Sequence, residues 1–109
     1  MTSEQRTQVR KSLSEGYRGE LTMQMDGRPL PLEAVVDVSS VGIGVITAED
    51  IRSGSLVEVS YRFETINIDM SGVVVWTRRQ DGVDDAKNPK ILFAVGVSLT
   101  GPTLLYALL

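Results

Sequence analysis

The chain has 109 residues, 42% of them hydrophobic and 23% charged, which suits one folded domain that buries about 65% of its unfolded surface. It contains no Cys and no His, which excludes disulfides, thiolate chemistry, imidazole bases and the commonest zinc ligands. Fourteen acidic against eleven basic residues leave a net charge of −3, which argues against long nucleic acid, a partner that needs a basic face.

The start, Met1 to Gln5, lacks the apolar stretch of a secretion signal, and no apolar run reaches the roughly 18 residues of a membrane span. The chain therefore reads as cytoplasmic, with no membrane insertion. Residues 3 to 15 hold no Gly or Pro and predict a short polar helix, with Thr2 and Gln5 spaced as a capping box, or a mobile segment, since it has few apolar anchors. Beyond it the apolar residues alternate, the mark of half-buried strands. Leu21, Met23 and Met25 form the first, and Asp26-Gly27 turns it into a hairpin. In the second, Leu30, Leu32, Ala34, Val36 and Val38 share one face and Glu33, Val35, Asp37 and Ser39 the other, while Pro29 and Pro31 confine its beginning to an edge.

Val41 to Thr47 is a third strand, Ala48 to Gly54 a loop, and Val57, Val59, Tyr61 and Phe63 the apolar side of a fourth. The fifth alternates through Ile66, Ile68 and Met70 into Val73-Val74-Val75-Trp76, with Gly72 marking a bulge. Residues 77 to 90, which include Arg78, Arg79, Asp81, Asp84 and Asp85, read as a long exposed loop, with a ligand or partner contact as the alternative for Arg78 and Arg79. Ile91, Phe93, Val95, Val97 and Leu99 make the sixth strand, and Gly101-Pro102 opens an apolar tail that suits a short C-terminal helix. The expectation is a mainly β fold: a six-stranded antiparallel barrel, with a sandwich as the alternative. Residues 1–16 form an N-terminal segment, 17–100 the barrel and 101–109 the tail.

Two clusters carry chemistry. Arg6 and Arg10 are four residues apart, next to Lys11, so their guanidiniums share a helix face or converge on a wrapped ligand. Such forks suit phosphate oxygens and the O6/N7 edge of guanine. Asp37 and Ser39 share a strand face, and Gly42 lets a ligand approach the backbone. Each also has a plainer reading: Arg6 and Arg10 as a solvated face, Asp37 and Ser39 as turn residues, Trp76 as core filling. Asp81, Asp84 and Asp85 lack the distal Glu and regular ligand spacing of a calcium loop, so no metal is expected.

Taken in order, Arg6-x-x-x-Arg10, Asp37-x-Ser39-x-x-Gly42 and the Val-Val-Trp strand before a final Gly-containing strand resemble the PilZ domain family over Arg6 to about Leu99. The resemblance implies a six-stranded barrel and a bacterial receptor for the second messenger cyclic di-GMP, with no enzymatic activity and no cofactor. It implies that Arg6 and Arg10 grip guanines and phosphates, that Asp37 and Ser39 bind a guanine and neighbouring polar groups beside Gly42, and that Trp76 packs against the ligand. By strict alternation from Ile66, Trp76 falls on the apolar face, and a bulge is needed to turn it toward a ligand. The interval from Arg10 to Asp37 is longer than the family pattern. Two outcomes are compatible with it: a receptor that signals to an effector protein by ordering its N-terminal segment, or a degenerate barrel that acts only as a protein-interaction adaptor. A barrel for single-stranded nucleic acid is disfavoured by 6% aromatics and the negative charge.

Overall fold

A computed structural model describes residues 11–13, 17–80, 82–83 and 89–100. The capping box at Thr2 and Gln5, the side chains of Arg6 and Arg10, the acidic residues Asp81, Asp84 and Asp85, and the apolar tail lie outside the described residues.

The chain is built from β1 (Lys11–Ser12), β2 (Glu20–Met25), β3 (Arg28–Leu30), β4 (Ala34–Val38), β5 (Gly42–Thr47), β6 (Leu56–Phe63), β7 (Ile66–Arg79), β8 (Gly82–Val83), β9 (Pro89–Lys90) and β10 (Phe93–Leu99). Eight of these form one antiparallel sheet in the order β1-β4-β5-β10-β7-β6-β2-β3, curled into a half-barrel, and β8 and β9 form a separate ribbon. The expected six strands thus become eight in the sheet. β1 and β3 are its outer strands, so among the described residues the sheet is open rather than closed.

Alternation works where the strands are regular. Leu21 and Met23 on β2, and Val57, Val59 and Tyr61 on β6, point into one core with Val45 and Val95. Asp26 and Gly27 both take positive φ (55° and 77°) between β2 and β3, the two-residue turn that matches strand twist. Pro29 sits on the outer strand β3, where no ladder donor is required.

Five expectations need correction. Lys11 and Ser12 are not helical: they pair with Val38 and Asp37, and the Leu13 N–H donates to the Val36 carbonyl at 2.8 Å. Leu13 is buried in the core, which supplies the apolar anchor that favours a strand here. The second strand breaks after Leu30 and resumes at Ala34. Val36 is then an extra residue opposite the Val45–Gly44 step, so Val35 and Val38 are buried while Ala34 and Val36 face outward.

The fifth strand runs on to Arg79, and Thr77, Arg78 and Arg79 pair with Val95, Ala94 and Phe93 instead of lying in a loop. The sixth starts at Phe93, leaving Ile91 outside it and half exposed. Finally, the bulge is not at Gly72, which stays in register with Val57. Val75 is the extra residue, opposite the Gly96–Val97 step.

Candidate functional site

The two bulges determine what the outer face of the sheet presents. The bulge at Val75 reverses the phase of β7: Val74 remains in the core, and Trp76 turns out to the other face. The bulge at Val36 leaves Asp37 half-buried on that same outer face. Asp37 pairs with Gly44, Gly44 with Gly96, and Gly96 with Trp76, so one row crosses four strands with side chains only at its ends.

Both glycines are needed for this. A Cβ on Gly44 would lie 2.7 Å from Asp37 Oδ1, and a Cβ on Gly96 would overlap the Trp76 indole. The carboxylate leans over one glycine and the indole lies across the other. Two residues along each strand, on the same face, a second row runs through Ile46, Ala94 and Arg78. The Arg78 guanidinium sits over the indole, 5.8 Å from the ring centroid.

Asp37, Gly44, Ile46, Ala94, Trp76 and Arg78 line an open groove of about 360 Å³ together with Val36, Val45 and Gln80, while Gly96 lies beneath the indole beside it. That volume is in the range of small-molecule sites. The floor is apolar or bare backbone, one wall is an acceptor, and the other carries an aromatic face and a cation. Such a groove suits a flat ring that offers N–H donors at one edge. Among the described residues no cluster of three metal-ligating side chains occurs, and no helix is long and apolar enough to cross a membrane.

Ser39 and Gly42 stand beside this groove. They line a smaller cavity of about 70 Å³ with Val41, Val75, Trp76 and Ser98, so Trp76 forms part of both. Ser39 is fully buried; its N–H donates to the Gly42 carbonyl at 2.8 Å, and its Oγ accepts from the Val41 N–H at 3.3 Å. It closes the turn between β4 and β5. A Cβ on Gly42 would collide with the Val97 carbonyl, so the neighbouring strand already requires glycine there.

Gly44, Gly96, Ile46, Ala94 and Gln80 are not among the residues expected from the sequence, and Arg78 enters those expectations only as the alternative to a solvated loop. Glycines inside the apolar runs at 43–45 and 95–97 were the available signal, because a strand-interior glycine marks a close approach. Arg78 was obscured by its assignment to a loop.

The fold is a curled antiparallel β domain that carries an open groove on its outer face. The PilZ domain family model matches residues 4–103, and the chain belongs to that family. Its fold is similar to that of the PilZ domain with c-di-GMP of YcgR from Escherichia coli, with a TM-score of 0.67 and 13% identity over 94% of this chain and 85% of that one. No curated protein matches the chain.

Proposed function

We propose that this domain is a non-catalytic receptor for cyclic di-GMP. The observation that carries this reading is the Asp37–Gly44–Gly96–Trp76 row together with the pairing of β1 against β4. A guanine laid against the Trp76 ring in the groove offers its N1–H and N2–H groups to the Asp37 carboxylate. Ser39 supports the turn beside Asp37.

Arg6 and Arg10 supply the charge that a diphosphate ligand requires. Arg10 precedes Lys11 by one peptide bond, and Lys11 is paired with Val38, next to Asp37. The residues that lengthen the interval between Arg10 and Asp37 follow this anchor, so they do not separate the Arg pair from the site. Ligand binding orders the N-terminal segment over the groove, and the altered surface is read by an effector protein in the bacterial cytoplasm.

Calorimetric titration with cyclic di-GMP tests the reading. Saturable binding and a rise in melting temperature are expected, because a ligand that prefers the folded state stabilises it. Absence of both heat and thermal shift at millimolar ligand overturns it and leaves the adaptor without nucleotide.

A further inference from the structure

We infer that Arg78 is a further ligand-binding residue, one that reads the O6/N7 edge of the guanine whose N1–H and N2–H groups are held by Asp37. The inference rests on the cyclic di-GMP reading and adds a determinant of base selectivity to the same groove.

Three observations carry it. Arg78 lies two residues beyond Trp76 on the same face of β7 and lines the groove that Asp37 closes at the far side. Its partner across the ladder is Ala94, so the space beside it on the floor is open. Among the described residues, its guanidinium makes no hydrogen bond or ion pair, and its contact is the indole face of Trp76. Arg79, by contrast, already has a partner. A fork of N–H donors held on an aromatic surface, with its donors unspent, is available to a ligand.

Asp37 and Arg78 stand on opposite walls of one groove, with β5 and β10 between their strands. The carboxylate accepts from the N1–H and N2–H groups, and the guanidinium donates to O6 and N7, the pairing that an arginine fork fits geometrically. Adenine fails at both ends: its N1 is an acceptor facing the carboxylate, and its 6-amino group is a donor facing the guanidinium. Selectivity is therefore set twice, once on each wall. Lys at this position supplies charge without the planar fork.

The test combines Arg78→Ala and Arg78→Lys with two ligands, cyclic di-GMP and its 7-deazaguanine analogue, in calorimetric titrations of the full chain. Arg78→Ala should weaken cyclic di-GMP binding by about tenfold or more, with the ligand-free melting temperature unchanged. The analogue should bind the parent about tenfold more weakly than cyclic di-GMP does, and that ratio should shrink in both variants, because the donor that uses N7 is gone or no longer forked. Equal ratios in parent and variants overturn the role of Arg78 while leaving the receptor reading in place. Failure of the parent to bind cyclic di-GMP overturns the receptor reading, and the role of Arg78 with it.

Discussion

Asp37 and Trp76 stand at opposite ends of one row across four strands, with only Gly44 and Gly96 between them. Each is placed there by a bulge one residue earlier in its strand, at Val36 and Val75. An extra residue reverses the phase of everything beyond it, so two local irregularities turn an acceptor and an aromatic ring toward the same groove.

Gly96→Ala should uncouple ligand binding from folding. The added methyl displaces the Trp76 indole from the floor, and Trp76 is already 39% exposed, so the ring has room to swing outward. The expected outcome is a loss of cyclic di-GMP affinity of about tenfold or more with a fall in stability below about 1 kcal/mol. Tryptophan emission should shift in the free protein, because the molecule has a single Trp. Unchanged emission and affinity would show that the ring does not rest on this glycine.

Asp37→Ala and Ser39→Ala should separate in the same way, in opposite directions. Ser39 is fully buried and its hydroxyl accepts from the Val41 N–H, so its loss costs about 1 kcal/mol, or roughly 4 to 8 °C in melting temperature for a domain of this size. Asp37 is half-buried on the groove wall. Its variant should lose affinity and discriminate less between cyclic di-GMP and cyclic di-AMP. Thermal melts and competition titrations read the two effects independently. Full selectivity in Asp37→Ala would remove the carboxylate from base recognition.

Away from the groove, Tyr61 and Gly19 test the core alone. The Tyr61 hydroxyl donates to the Arg18 carbonyl at 2.7 Å from a fully buried ring, so Tyr61→Phe should cost about 1 kcal/mol. Gly19 packs against the same ring with φ at +85°, and a Cβ there would lie 2.5 Å from the Arg62 carbonyl. Gly19→Ala should therefore cost more, about 2 kcal/mol, through left-handed strain and the collision together. Chemical denaturation measures both, and ligand affinity measured under folded conditions should not change in either.

Much of this fold is legible as alternation, and the failures have specific causes. Val57, Val59 and Tyr61 alternate because β6 pairs without interruption along β7. Val35 to Val38 and Val74 to Trp76 read wrongly, since a bulge is a property of two strands and leaves little trace in either one alone. Gly72 attracts the bulge in the sequence, yet it is needed for packing: a Cβ there would lie 2.8 Å from Leu99 and Val97 side chains. Lys11 to Leu13 look like polar helix because Leu13 is a lone apolar residue, and only the tertiary fold shows it reaching the core. Asp37, Ser39 and Gly42 stand out by motif. Gly44, Gly96 and Arg78 become visible only through the register that brings four strands together.

β1 directly follows Arg10 in the sequence, so its pairing with β4 sets where the proposed Arg6 and Arg10 contacts begin. Leu13 is buried in the core on the side of the sheet away from the groove, and its N–H bonds to Val36, so it secures β1 against β4. Leu21 is equally buried but lies on β2, at the other end of the sheet order. Either Leu→Ala change should destabilise the domain by about 2 to 4 kcal/mol through loss of burial and the cavity left behind. Their effects on binding should differ. Where Leu13→Ala leaves β1 mostly unpaired, each further loosening of about 1.4 kcal/mol weakens cyclic di-GMP binding about tenfold, whereas loosening β2 does not. Arg6→Ala and Arg10→Ala give the scale, since removing one charge-assisted contact costs about tenfold to a hundredfold. Titrations run cool enough to keep both Leu variants folded, with amide exchange at Lys11 to Leu13 as the structural readout, decide the matter. Equal affinity losses in Leu13→Ala and Leu21→Ala would mean that binding follows overall stability, and β1 would then have no separate part in presenting the arginines.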